Sequence, residues 1–589
     1  MILLVNILPD PEQAREALAN AIAERPMIFE IFTAFSRIAL ALLAIFIVFR
    51  CAASLLSGKH ESELWGYIKL KAGAIKIPIR HWENTIGRSK TSDIMINFPT
   101  ISRSHAALIR DGDKWFLSDL GSKGGTSVDG ERIKEGRREV NFGDVLDFSG
   151  VQAMLFPLNQ DEKEATLHRT PPGIDIRPSF TFYMLTVFQV IIALQLSIAS
   201  PARFEWAIPV CFTMLIAVMW IYFIFFRIQN RRGFEVDTIA FFLGTIGLAV
   251  TASSQPYGLV LKFIALVIGI AFFVILGWFL RDLKRAQTMR WPMAGGAIGL
   301  LLFTMVFGSI VYGARNWVFI GGLSIQPSEI AKVAFVYAGA ATLDRLFAKR
   351  NIILYIGLSV ICVGALAWMS DFGAVLLFFV GFLVVAYLRS GDLKTIGFAS
   401  AAALFGGIII VRFKPYILSR FETWTRAWDY AHSGGFQQTR TMSALASGGL
   451  FGMGAGKGWL KRIPAADTDL VFGMVAEELG LIVAVAAVAC ICVLALFAAR
   501  SATTSRSAFY TIAASSATAM LVFQMTLNVL GSLDILPLTG ITFPFVSSGG
   551  SSLVSSFGLI AFIKAVDTRQ NASFATLPQK KIFERRARR

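Results

Sequence analysis

Charge is scarce in this chain. Asp, Glu, Lys and Arg make up 16% of its 589 residues, against roughly 25% in ordinary soluble domains, which excludes a purely soluble protein. Cysteine is sparse too: Cys51, Cys211, Cys362, Cys490 and Cys492 are scattered, mostly in apolar runs, with no histidine spacing beside them. That excludes a disulfide framework and any readable metal site. The leading charges, Asp10, Glu12, Arg15 and Glu16, are not a basic n-region, so a cleaved signal peptide is not expected. Acid is the scarcer sign, with 39 Asp+Glu against 56 Lys+Arg and a formal net charge of +17. In a soluble chain that surplus would point to nucleic acid. Here it reads as a basic cytoplasmic skirt around a membrane bundle, with no nucleic acid expected.

What is plentiful is apolar. Hydrophobic residues make up 55%, with 50 Phe and 50 Gly, and the mean hydropathy is +0.60. A run from Ile38 to Leu56, broken by Arg50, predicts one N-terminal span. Further spans are predicted near 181–200, 206–226, 237–253, 258–280, 293–313, 328–347, 352–369, 372–389, 394–411, 472–499, 508–530 and 546–566. Arginine and lysine gather in alternate loops (Arg227, Arg231 and Arg232; Arg281, Lys284 and Arg285; Arg500 and Arg506) and in the tail, which predicts those sides as cytoplasmic. The opposite side then carries a long loop, Phe413 to Asp469, whose Trp424, Trp428, Phe436 and Trp459 argue for order.

Between Glu61 and Leu158 the chain turns polar, with short alternating runs and turn signals such as Gly124-Gly125, Asp129-Gly130 and Gly143-Asp144. This predicts a small all-β sandwich. Gly87-Arg88-Ser89, Ser102-Arg103-Ser104-His105, Asp119-Leu120-Gly121-Ser122 and Thr126-Ser127-Val128-Asp129-Gly130 resemble the forkhead-associated (FHA) domain. The resemblance implies a phosphothreonine-protein partner, with Arg88, Ser102 and Arg103 as charge-assisted donors to the phosphate and His105 and Gly87 as structural residues. The chain departs from the family at Gly124, where an asparagine normally holds the peptide backbone. Phosphopeptide binding and a degenerate domain kept for protein contact both stay open.

Three polar clusters interrupt the apolar part, where each buried charge costs roughly 2.5–3.5 kcal/mol on insertion scales. The first is Arg315-Asn316-Trp317 with Gln326-Pro327-Ser328-Glu329 and Lys332; Glu329 and Lys332 are i,i+3 neighbours if Pro327 opens a helix. The second is Asp371 before Phe372-Gly373, either a helix N-cap or a functional acid. The third ends the long loop: a glycine-rich stretch from Gly448 to Gly456, Asp467-Thr468-Asp469 and Ala476-Glu477-Glu478-Leu479-Gly480, with an excess of basic residues suited to an anionic lipid diphosphate.

These motifs, with Gly435-Phe436-Gln437, Leu536-Pro537-Leu538-Thr539-Gly540 and Pro544-Phe545-Val546-Ser547-Ser548-Gly549-Gly550-Ser551-Ser552, resemble the SEDS family of FtsW, RodA and SpoVE types from about Glu235 to Val566. The expected fold class is an α-helical polytopic membrane protein: a ten-helix SEDS core with two or three extra spans and a small cytoplasmic all-β FHA sandwich. The expected division is 1–58, an N-terminal segment with a span; 59–158, FHA; 159–179, linker; 180–234, two extra helices; 235–568, core; and 569–589, basic tail. The resemblance implies an inverting glycosyltransferase that polymerises lipid II outside the membrane, beside a class B penicillin-binding protein. It implies Asp469 as general base and Arg315, Trp317, Glu329, Lys332, Asp371, Arg420 and Arg440 as substrate-binding residues, with Lys332 and loop arginines steadying the diphosphate. Asp467 stands where the family has histidine, and Arg440 where it has glutamine. The resemblance names no certain cofactor; a divalent metal near the diphosphate stays open. A lipid II flippase and a non-catalytic division scaffold are the alternative readings.

Overall fold

The computed structural model describes residues 10–574 apart from 58–62, 72–74, 90–91, 112–113, 134–135, 163–176, 200–203, 282, 312, 322, 342–348, 391–392, 414 and 570. The linker prolines Pro171-Pro172 and the basic tail from 575 lie outside the described residues.

Asp10 caps helix α1 (Pro11–Glu24) through its carboxylate, and Pro11 takes the first turn where a missing N–H costs nothing. Helix α2 (Pro26–Leu56) follows. Arg50 avoids stranding its charge among apolar side chains: it donates to Thr181 Oγ1 at 3.2 Å and lies over the Phe46 and Phe180 rings.

The chain then builds two sheets of short strands. One has the order β2-β1-β11-β10-β7-β8, where β1 is Gly66–Leu70, β2 Lys76–Ile79, β7 Thr126–Val128, β8 Glu131–Arg132, β10 Val145–Phe148 and β11 Val151–Phe156. The other has the order β4-β3-β5-β6-β9, where β3 is Glu83–Gly87, β4 Ile94–Met95, β5 Ala106–Asp111, β6 Lys114–Asp119 and β9 Arg138–Val140. Alternate residues point inward, and Ile68, Ile86, Leu108, Leu117, Leu146 and Leu155 form a closed core between the sheets.

Helices α3 (Pro178–Ala199), α4 (Ala207–Ile228), α5 (Glu235–Ser254), α6 (Leu259–Phe279) and α7 (Arg290–Phe307) come next. The span expected at 293–313 stops at Phe307, and the chain becomes an antiparallel three-stranded sheet of β12 (Ser309–Val311), β13 (Ala314–Ile320) and β14 (Leu323–Ile325). Helices α8 (Pro327–Ala341), α9 (Lys349–Trp368), α10 (Phe372–Ser390) and α11 (Leu393–Phe413) follow, and the long loop contains α12 (Pro415–Thr423) and α13 (Phe436–Gly448). The expected span at 472–499 is two helices, α14 (Val471–Leu479) and α15 (Leu481–Ala502). The break is Gly480, at φ +95°, where a Cβ would collide with the Leu450 carbonyl. Helices α16 (Ala508–Ser532) and α17 (Gly550–Ala565) complete the bundle. Eight of the described helices are long and apolar enough to cross a membrane, with four shorter apolar helices besides.

The sandwich is seated on the α15–α16 turn. Trp82 N donates to Arg506 O at 2.6 Å, and the His81 ring meets Ser505 O at 2.6 Å. Ser507 Oγ donates to Glu83 at 2.9 Å, and Trp82 stands edge-on to Tyr510. Arg506 grips Glu63 with two nitrogens at 2.8 and 2.9 Å and donates a third to Asp567 O. Burial disfavours the Arg506 charge, but the Glu63 carboxylate, with Asp567 and Tyr510 behind it, outweighs it and holds the guanidinium above its ordinary value. Helix α16 runs 25 residues from this seat, about 37 Å at ~1.5 Å per residue, so its far end marks the opposite side of the bundle.

Candidate functional site at the far end of the bundle

At that far end three segments meet. Thr468 and Asp469 sit in the turn before α14, with Asp469 N bonded to Ala465 O at 2.9 Å. Asn528, buried in α16, donates from Nδ2 to Asp469 O at 3.1 Å, Thr468 O at 3.3 Å and Ile541 O at 2.7 Å. Ser547 Oγ donates to Thr468 O at 2.7 Å and accepts from Phe543 N at 2.8 Å. The Asp469 carboxylate faces Gly540, at φ +74°, with Oδ2 3.4 Å from where a Cβ would stand. Arg420, exposed on α12, donates to Leu538 O at 2.7 Å on the same turn. Burial pushes the Asp469 carboxyl above its ordinary value; the Thr468 hydroxyl and the Arg420 charge pull it back, and Asp467 adds to the rise.

Asp467 is buried and accepts from Ser254 Oγ at 3.3 Å and Gln255 Nε2 at 3.1 Å, at the end of α5. Near it Lys262, the single charge in α6, donates to Ser547 O at 2.5 Å. A second cluster lies beside the first. Lys332 Nζ pairs with Glu329 Oε2 at 2.8 Å and donates to Gln524 Oε1 at 3.1 Å, while Ser555 donates to Glu329. Gln524 reaches Thr542 at 3.0 Å, and Thr542 meets Ser552 at 2.7 Å, so hydroxyls and amides link Lys332 to the segment that holds Asp469. Asp371 caps α10 through Ala374 N at 3.1 Å and also accepts the amides of Asn316 and Gln326 at 3.1 and 3.2 Å.

Other expected residues stand apart. Arg315 is exposed and turned to Met305 O, and Trp317 is a strand residue paired with Ser309. Arg440 lies over the Phe436 ring. The Lys332 charge is taken up by Glu329, while the Arg420 charge reaches the Asp469 carboxyl. Glu477 and Glu478 shape the glycine-rich loop: Glu477 accepts from Trp459 N and Leu460 N, and Glu478 from Gly456 N and Ser253. Sequence reasoning passed over Asn528 and Lys262, although an amide and an amine inside apolar helices are themselves a signal. Among the described residues no group of three or more His, Cys, Asp or Glu is placed to hold a metal.

At the free end of the sandwich, Arg88 and Arg103 are exposed on loops laced by Arg88 N to Ser102 O at 3.0 Å and Ser89 N to Arg103 O at 3.1 Å. His105 Nδ1 accepts from Ser102 N, so Nε2 donates to Gly125 O, each at 3.2 Å. Burial holds that imidazole below its ordinary value. A Cβ on Gly87 would strike Arg103 O, and one on Gly124 would strike Ser149 Oγ. Ser149 therefore leaves no room for the family asparagine at that backbone position.

Residues 84–149 match the family model of the FHA domain. Residues 239–572 match the model described as a cell cycle protein of FtsW/RodA/SpoVE type. This polytopic chain belongs to the FtsW/RodA/SpoVE family. It is 28% identical over 336 residues to the peptidoglycan glycosyltransferase RodA of Mycobacterium bovis, covering 54% of this chain and 71% of that one. It is 30% identical over 355 residues to a protein of Tolumonas auensis named as a probable peptidoglycan glycosyltransferase FtsW, covering 56% and 90%. The crystal structure of Thermus thermophilus RodA aligns at 25% identity with a TM-score of 0.42, covering 56% of this chain and 94% of that one.

Proposed function

We propose that this protein is a peptidoglycan glycosyltransferase that polymerises lipid II at the outer face of the bacterial cytoplasmic membrane. The observation that carries the reading is Asp469: a desolvated acid held by its backbone, under the field of an exposed arginine, at the end of the bundle away from the FHA domain. In the reaction the 4-hydroxyl of an acceptor disaccharide attacks C1 of the growing glycan. The O4–C1 bond forms as the bond from C1 to undecaprenyl diphosphate breaks, and inversion turns the α-diphosphate into a β-1,4 linkage. Asp469 takes the hydroxyl proton; its raised proton affinity makes it a better base than an exposed aspartate. Arg420 steadies the departing diphosphate. Asp371 and the Glu329–Lys332 pair line the way in from the neighbouring cluster.

The FHA domain and the C-terminal segment lie on the cytoplasmic side, as the basic loops favour. Its free end, with Arg88, Ser102 and Arg103, receives a phosphothreonine protein, and a class B penicillin-binding protein cross-links the glycan outside. The test is purified full-length protein given lipid II. Glycan chains are expected, with Asp469→Asn lowering kcat by about 10²–10⁴-fold; movement of lipid without polymer would support a flippase instead.

A further inference from the structure

Asn528 belongs to none of the motifs that name the site, yet its side chain bonds backbone in both segments that form it. Its amide is 1% exposed, inside α16. One NH2 group, with two protons, serves three carbonyls: Thr468 and Asp469 in the turn before α14, and Ile541 in the segment after α16. A buried carbonyl without a donor is costly, so losing this amide frees two segments at once. The Ile541 segment is also where Arg420 is fixed, through Leu538 O three residues earlier. The acid and the cation are thus referred to one turn, and Asn528 is the tie between that turn and the acid's own backbone.

We infer that Asn528 is a positioning residue for the glycosyl transfer: it sets the Asp469 carboxylate against the Arg420 guanidinium by holding both of their backbone supports. The inference rests on the reading of Asp469 as base. The neighbouring cluster touches this segment through Gln524 and Thr542 but keeps its own supports, Glu329 on Lys332 and the Asn316 and Gln326 amides on Asp371, so removing the tie acts on turnover more than on affinity. A donor displaced by about 1 Å is enough for a large loss when geometry sets the rate.

The experiment is a double-mutant cycle on full-length protein with lipid II. Asn528→Leu is expected to lower kcat about 30-fold with KM within twofold of the parent. In an Arg420→Met background the same change is expected to cost threefold or less, because the relation it maintains is already lost. Asn528→Asp, equal in shape but presenting oxygens to carbonyls, is expected to match Asn528→Leu in turnover per folded molecule, with the melting temperature in detergent recorded on each variant so that loss of chemistry is separated from loss of fold. Equal losses with and without Arg420, a rise in KM alone, or parent-like turnover would each overturn the inference. If the parent makes glycan and Asp469→Asn does not, such a result leaves the glycosyltransferase reading standing. If the parent itself makes none, both fall.

Discussion

The two ends of the bundle treat their charges differently. At the FHA end, cations are matched to carboxylates at short range: Arg506 with Glu63 at 2.8 Å, Lys564 with Asp237 at 2.8 Å, and Arg569 with Asp567 at 2.8 Å and Glu235 at 3.0 Å. At the far end one pair is matched as closely, Lys332 with Glu329 at 2.8 Å, but Asp371 and Asp467 are held by neutral amides and hydroxyls, and Asp469 by its backbone. Matched ions carry little net charge and mainly hold parts in register. Acids left with neutral partners are not neutralised by a neighbour, and burial raises the proton affinity of Asp469 among them, which is what transfer chemistry needs. The contrast separates architecture from reactivity without reference to any motif.

Neutralising one acid at each end tests that contrast most severely. Asp469→Asn should leave the fold intact and remove polymerisation. Asp237→Asn should do the reverse, because Lys564 is left buried without its counter-ion, a loss of about 3–5 kcal/mol; melting temperature and turnover per folded molecule, measured on both, decide the matter. Arg506→Ala should cost less, roughly 3 kcal/mol at most, and act on the seat: hydrogen exchange should rise in β1 and β3 while the bundle stays protected. If exchange is unchanged, the ion pair is not what holds the domain. Arg88→Ala should weaken a phosphothreonine peptide about tenfold, as titration of the full chain would show, leaving lipid II turnover in the absence of peptide untouched. The smallest effect is titration of His105. Its folded-state affinity for a proton is below the unfolded one, so the unfolded chain binds more protons and sandwich stability falls as pH drops through the ordinary histidine range. Protection of β5 at two pH values would reveal it.

Much of this was legible in the chain. Hydropathy and loop charge announced the bundle, turn spacing announced the sandwich, and Pro327 opening a helix made the meeting of Glu329 and Lys332 a matter of helical period. The misses share a cause: each depends on residues remote in sequence. Gly480 breaks a continuous apolar run only because the Leu450 carbonyl occupies the place of its side chain. Residues 309–311 continue the apolar run of the span expected at 293–313, yet Ser309–Val311 pairs as a strand with β13, and Arg315 N is held by Met369 O. Gly124 reads as a lost asparagine until Ser149 is seen in the space. Asn528 looks like one polar residue in an apolar helix, and only the packed turns give it three acceptors.

The seat has a consequence in time. Glu63 and Arg506 lie 443 residues apart, so a ribosome adding ~5–20 residues per second makes the second roughly 20–90 s after the first. The sandwich is finished early and waits, recognition loops already formed, until the α15–α16 turn emerges. Docking is therefore one of the last acts of assembly, and a chain cut short before that turn would display a folded FHA domain with nowhere to rest.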